Sequence, residues 1–327
     1  MKPLKNLLLA ACLVSTAALA QAPLPKVGDF PSQPLKFISP FPPGGGNDAH
    51  ARFITMTLPA VVGQSVIAEN KGGAGGNIGA KFVADAKPDG YTLLVSQTSI
   101  MAINPVIYSH AGFDALKDYV PVTQINSQPL VMVVNAQSKF KTFDDLRKAA
   151  AADPSKVTYA SPGNGTMSHL LGVVLNKECG VAINHVPYKG AAAAVTDLVG
   201  GQVDSLITSP ASVQGMVEAG KLRAVALTAP KLEGTFKGVP TLEQMGCKGL
   251  LFEDWYGVFA PAGTPPERVQ YLAKAIGAVL RSPDVARKIR DAGGEVVANS
   301  PEEFARVSRE DIARWTRFAK LSGAKVD

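Results

Sequence analysis

Strand-like and helix-like segments alternate twice along this chain, and each round holds a glycine-rich turn between a strand and a helix. The first turn is "PFPPGGGND" (residues 40–48) and the second is "SPGNGTMSH" (residues 161–169). Glycine lets the backbone approach a bound group closely, and the N–H groups that open a helix have no partners within it. In an open α/β sheet such turns lie beyond the carboxyl ends of the strands, where ligands bind. The alternation predicts an α/β fold of two lobes, each a sheet flanked by helices, with a cleft between them.

The individual segments follow that plan. "LKFISPF" reads as a strand, and "DAHARFITMTLPAVVG" as a helix with Ile54, Leu58, Val61 and Val62 at helical spacing. "SVIAEN", "GNIGAKFVADA" and "YTLLVSQ" read as strand, helix and a strand buried on both faces. After "INSQP" the pattern restarts with "LVMVVNA", and "TFDD" (142–145) resembles a capping box. "VTYASPG", "TMSHLLGVVLNKE", "INHVPY", "AAAAVTDLVGG", "VDSLITS", "PASVQGMVEAG" and "LRAVALT" complete the second unit. "WYGVFAPAG" is one more strand, and a last helix opens at "SPEEF" with Phe304, Val307, Trp315 and Phe318 turned inward. About 300 residues exceed what one core carries. The expected division is 21–124 with 254–327 in one lobe and 125–253 in the other.

The first 20 residues address the compartment. "MKPLKN" and then "LLLAACLVSTAA" form a charged start and an apolar stretch too short to span a bilayer, and "ALA" precedes Gln21. A signal peptide cleaved after Ala20 is expected, with the mature protein soluble outside the cytoplasm. The competing lipoprotein reading uses "LAAC" and Cys12, but leaves about five residues of apolar core against the usual ~7–15. Cys179 and Cys247 remain, an even pair in an oxidising compartment, either a disulfide or two separate buried thiols. The formal charge of +6 is scattered, with no basic run and little aromatic interleaving, which argues against nucleic acid.

Other chemistries fit poorly. "GGAGGNIG" (72–79) spaces its glycines one residue too long for a dinucleotide fingerprint, and no phosphate-loop motif exists. No G-x-S-x-G elbow is present, and His50, His110, His169 and His185 are dispersed without metal-ligand spacing. No cofactor, metal or catalytic residue is expected, and a hydrolase or lyase reading lacks its nucleophile–base pair. His169, one turn past the second glycine turn, either reaches a ligand or braces its own loop. Tyr188 and Lys189 follow a strand at the same rim. Asp48 reads as a helix-start residue, since a carboxylate there repels an anion unless neighbouring N–H groups hold it.

The segments "PFPPGGGNDAHAR", "ENKGGAGGNIGAKFVADAKPDGYTLL", "YASPGNGTMSHL", "HVPYKG", "DLVGGQVD" and "WYGVFAPAGTP" resemble, in order, the Bug receptors of tripartite tricarboxylate transporters. The resemblance implies a periplasmic binding protein of the two-lobed Venus-flytrap kind, type II-like. It also implies that one ligand carboxylate is held by Pro43, Gly44, Gly45 and Asp48 on one side. The resemblance likewise implies that Ser161, Gly163, Gly165, Thr166 and His169 hold it from the other. The distal pocket is expected to use Thr98 and Ser99, Tyr188, Lys189, Gly190 and Ala191, and Ser209. The implied role is periplasmic capture of a small organic anion by a monomer for the membrane subunits of such a transporter; the alternative is a sensor feeding a signalling kinase. Two departures, Ala193 where the family commonly has proline and the missing asparagine in "ITSPAS", touch the variable end of the pocket.

Overall fold

The computed structural model describes residues 23–327 apart from 45, 230–233, 292, 324 and 326–327. Residues 1–20, where a signal peptide is expected, with Cys12, and Gly45 lie outside the described residues. Two sheets account for the strands. The first lobe opens β1 (Leu35–Ser39), α1 (Gly46–Val62), β2 (Val66–Asn70), α2 (Asn77–Ala84) and β3 (Thr92–Gln97). A π-helical turn (Ser99–Ile103) and α3 (Asn104–Ile107) lead to β4 (Tyr119–Gln128). The second lobe runs β5 (Val131–Asn135), α4 (Phe143–Ala152), β6 (Thr158–Ser161), α5 (Met167–Glu178), β7 (Asn184–Pro187) and α6 (Ala191–Val199). It continues with β8 (Ser205–Thr208), α7 (Gln214–Glu218) and β9 (Leu222–Leu227). The chain then returns through β10 (Asp254–Pro261), α8 (Pro266–Leu280), α9 (Pro283–Asp291), β11 (Glu295–Val296) and α10 (Pro301–Ser322).

The sheet orders are β11-β4-β10-β3-β1-β2 and β7-β6-β8-β5-β9. Both are mixed. β1, β2 and β3 are parallel, as are β6, β7 and β8, whereas β10 runs against β3 and β4, and β5 against β8 and β9. Helices cover each sheet on both faces, so inward positions are apolar on either side. Leu35, Phe37, Ile54, Leu58 and Leu272 fill one face of the first sheet, and Ile38, Leu94, Trp255, Phe259 and Phe304 the other. Each such side chain contributes about 1.5–3 kcal/mol by leaving water. Two helix starts foreseen in the sequence form as read: Thr142 and Asp145 make a reciprocal capping box, and the Ser300 side chain accepts from the Glu303 amide.

β4 is the strand that the sequence hid. It carries Pro121 and a polar run, Thr123 to Gln128, that is nonetheless buried. Asn299 offsets part of that burial: it accepts the Gln124 amide at 3.0 Å, and its carbonyl accepts the Thr123 hydroxyl at 2.8 Å. The last helix also spans further than expected. Phe304 packs on Trp255 and Phe259 in the first lobe, while Trp315 and Phe318 join Phe252 in the core of the second.

The crossings between the sheets fix where the cleft lies. The chain leaves the first sheet at Gln128 and returns at Asp254, which pairs with Gln128. Between them the Leu130 amide donates to Thr228 Oγ1 at 2.8 Å, and the Phe252 amide to the Thr228 carbonyl at 2.8 Å. Tyr256 pairs with Gln97 at the carboxyl end of β3, and Val131 pairs with Thr208 at the carboxyl end of β8. The hinge therefore joins the carboxyl edge of one parallel set to the carboxyl edge of the other, and the loops on those edges face across it.

Candidate functional site

In the first lobe the turn after β1 is braced from inside. Gly44 has a φ of +89° with open space around it, a backbone state that side chains rarely adopt. Its amide donates to Asp48 Oδ2 at 2.9 Å, and the same oxygen accepts Arg52 Nε at 2.9 Å. Asp48 Oδ1 accepts Asn70 Nδ2 at 2.9 Å, and Asn70 also donates to the Phe41 carbonyl at 2.9 Å. Arg52 above all, with the Gly44 amide and Asn70, holds the buried Asp48 carboxyl down at about 2. Arg52 also balances its charge, which leaves the positive end of α1 available to an anion. Pro43 is exposed beside this turn.

Gly46, the third glycine of the run, is required for a different reason. A Cβ there would sit 2.3 Å from the Tyr256 hydroxyl. The Tyr256 ring stacks on His50 with centroids 4.0 Å apart and planes at 14°. His50 Nδ1 lies 2.7 Å from the Gly46 carbonyl, so that nitrogen carries the proton, and burial pushes the imidazole down to about 4. On the adjoining loop Asn47 Nδ2 donates to Gln97 Oε1 at 2.8 Å, and Gln97 Nε2 to Ser99 Oγ at 2.7 Å. Thr98 Oγ1 accepts the Trp255 amide at 3.1 Å.

The second lobe repeats the plan with different residues. Ser161, fully buried at the end of β6, has its Oγ 2.7 Å from His185 Nε2, donates to the Gly163 carbonyl at 3.1 Å and accepts the Gly163 amide at 3.2 Å. The Gly165 amide donates to His169 Nδ1 at 3.2 Å. Thr166 caps α5: its Oγ1 accepts the His169 amide at 3.2 Å and donates to the Gly163 carbonyl at 2.8 Å. His169 and His185 stack at 4.2 Å, and burial pushes both below the usual imidazole range, His185 to about 4 with His169 adding to the effect. Two histidines that look dispersed in sequence are thus one brace. A serine beside a histidine suggests a nucleophile, but this serine is sealed from the cleft and its oxygen is already engaged within its own turn.

The remaining expected residues form the rim. The Tyr188 hydroxyl donates to Asp197 Oδ2 at 2.7 Å, and its phenol is pushed up to about 12 by burial and by that carboxylate. The Tyr188 amide donates to the Ser161 carbonyl at 3.1 Å and the Gly190 amide to the Pro162 carbonyl at 2.9 Å, tying this loop to the glycine turn. Lys189 is exposed between them, and Ala191 opens α6. Ser209 Oγ pairs with Ser212 Oγ at 2.9 Å. Away from the cleft, Cys179 and Cys247 are joined, with Cα atoms 5.2 Å apart.

The donors left for a ligand differ from those the glycine pattern suggests. The amides of Gly44, Gly163 and Gly165 are spent on shaping their own turns. Among the described residues, the first-turn amides of Asn47 and Asp48 on α1 and of Met167 and Ser168 on α5 have no acceptor. Two helix starts thus present free N–H groups from facing edges, an arrangement suited to an anion. Tyr256 and His50 are the residues at this turn that sequence reasoning does not place there: Tyr256 belongs to a segment that reads only as a strand, and His50 to four histidines that read as dispersed.

Comparison with known proteins gives a consistent result. Residues 50–323 match the family model described as the tripartite tricarboxylate transporter family receptor. The chain is 34% identical to Protein BugT of Bordetella pertussis over 314 residues, covering 96% of each. It is similar in structure to Rpa4515 of R. palustris, solved with adipate (33% identity, TM-score 0.80, 91% of this chain and 100% of that one). It is also similar to MatC of Rhodopseudomonas palustris, solved with bound malate (29% identity, TM-score 0.77, 89% and 100%).

Proposed function

The chain belongs to the tripartite tricarboxylate transporter receptor family, and from that premise we propose that it captures one carboxylate group of a small organic acid between α1 and α5. As a member it is a periplasmic solute-binding receptor, not an enzyme. The observation that carries the carboxylate reading is the facing pair of helix starts, each with first-turn amides unpaired among the described residues and each opened by a glycine turn that is already internally bonded. Such turns need no rearrangement to receive a ligand, so little binding free energy goes into ordering them. Adipate and malate in the similar structures support the ligand class.

On this reading Pro43, Gly44, Gly45, Asp48, Ser161, Gly163, Gly165, Thr166 and His169 shape the clamp, with Asp48, Ser161 and His169 acting as braces. Thr98, Ser99, Tyr188, Lys189, Gly190, Ala191 and Ser209 border the distal end. The receptor is a monomer, exported after cleavage behind Ala20, that delivers its ligand to the membrane subunits of a tripartite tricarboxylate-type transporter. Thermal unfolding of the refolded, ligand-stripped protein against carboxylates, including adipate and malate, and their amides tests this. A ligand at a thousand times its Kd adds about 4 kcal/mol and raises the midpoint by several degrees. Shifts for an acid and none for its amide are expected; shifts for neutral compounds alone would overturn the clamp.

A further inference from the structure

Tyr256 stands where the hinge meets the ligand end of the first lobe. It lies on β10, two residues after Asp254, where the chain re-enters the first sheet beside Gln128. Its hydroxyl presses on Gly46, the residue that opens α1, closely enough that a methyl group there would lie 2.3 Å away. Among the described residues that hydroxyl makes no hydrogen bond; the bonds of Tyr256 run through its backbone, which pairs with Gln97 and Asn126 in the sheet and donates its amide to Asn126 Oδ1 at 3.3 Å. Asn47 Oδ1 and His50 Nε2, acceptor atoms of the same helix turn, are buried without partners among the described residues.

The ring cannot easily turn away. His50 stacks on it face to face, and His50 is itself fixed by its bond to the Gly46 carbonyl. Burial pushes the phenol up, so it stays protonated and remains a donor. A rigid phenol O–H with no partner among the described residues, held against the turn whose free amides suit an anion, is a preformed donor aimed at the same group.

We propose that Tyr256 is a ligand contact: its hydroxyl donates a hydrogen bond to the carboxylate at the first turn of α1 and thereby discriminates acids from their neutral analogues. This rests on the carboxylate reading above. It also gives the third glycine its purpose, since any side chain at position 46 would displace the phenol. Because β10 is a hinge strand, the bond ties the bound anion to the element about which the lobes meet.

The test uses the full mature chain, stripped of ligand, and the acid with the largest thermal shift in the carboxylate panel. Calorimetry on Tyr256→Phe is expected to show a Kd raised about tenfold or more, the loss typical of a hydrogen bond to a charged group. The unliganded melting point should hold, and weak binding of the amide should change less than binding of the acid. Gly46→Ala should abolish binding alone and recover part of it in combination with Tyr256→Phe, which removes the nearest clashing atom. Should the phenylalanine variant fold poorly, the wild-type chain with 13Cζ-labelled tyrosine decides: the resonance with cross-relaxation to the His50 ring must move when the acid is added. Equal affinity in Tyr256→Phe, or a still resonance in a saturated complex, overturns the proposal and leaves the carboxylate reading standing. Failure of every acid to bind the wild-type protein overturns both.

Discussion

Asp48→Asn isolates the brace beneath the first ligand turn. The carboxylate uses both oxygens: Oδ2 accepts the Gly44 amide and Arg52 Nε, each at 2.9 Å, and Oδ1 accepts Asn70 Nδ2 at 2.9 Å. Asparagine has the same shape but one acceptor. Whichever way its amide is turned, an NH2 group faces a donor, and the ion pair with Arg52 is gone. Losing one or two charge-assisted bonds inside a buried site costs about 2–3 kcal/mol. The depressed carboxyl pKa expresses the same bonds in another form. The carboxyl is lowered from 3.8 to about 2, and each unit corresponds to about 1.4 kcal/mol, so the folded state favours ionised Asp48 by about 2 kcal/mol. The sign follows: the folded pKa is depressed, so this stability is present above pH ~4 and is lost as the pH falls towards 2. Urea unfolding at pH 7 should show the variant about 2 kcal/mol less stable, with the gap closing near pH 2. Ligand affinity should fall too, because the Gly44 amide then meets either a neutral acceptor or an NH2 group in place of the carboxylate that holds it at positive φ. A variant within 0.5 kcal/mol of wild type at pH 7, by this order-of-magnitude scale, would refute the brace.

Three more outcomes follow from other parts of the molecule. His50 is lowered to about 4, so between pH 6.5 and 4 the unfolded chain binds its proton first and stability drops as the pH falls, by up to about 3 kcal/mol. His50→Gln should flatten that part of the pH–stability curve, leaving the share of His185; an unchanged slope would count against a neutral buried His50. Gly172 on α5 lies under the Tyr159 side chain, where a Cβ would meet two ring carbons at 2.0 and 2.2 Å and the hydroxyl at 2.3 Å, so Gly172→Ala should cost about 2 kcal/mol or more in chemical denaturation. Adding Tyr159→Leu should recover part of that loss. The disulfide joining Cys179 to Cys247 closes a separation of 68 residues, for which chain entropy gives about 4 kcal/mol. Reduction should lower the denaturation midpoint accordingly, and no change on reduction would remove the cross-link from the account of stability.

Much of this architecture was legible because it is local. Apolar spacing identifies the helix carrying Ile54 and Leu58, and the caps at Thr142 and Ser300 mark where helices start. The two glycine turns, read as strand-to-helix junctions at one edge of a sheet, stand there in the structure. β4 was not legible, because its buried polar run is tolerated only through partners such as Asn299 that come from far along the chain. The direction of β5 and β9 against their neighbours was hidden for the same reason: side-chain alternation does not encode strand direction.

The sequence by itself determined the α/β class, the two lobes and the turns that suit an anion, since these depend on backbone freedom, helix starts and hydrophobic period within a few residues. Only the tertiary structure decided which amides remain free. Gly44, Gly163 and Gly165 give their N–H groups to Asp48, Ser161 and His169, and among the described residues the donors left over belong to the helix turns beyond them. It also decided that His169 meets His185 and that Tyr256 meets Gly46 and His50. Those contacts join elements brought together by sheet order and by the hinge. The chemistry of the cleft is set by packing between distant segments, and no local pattern carries that information.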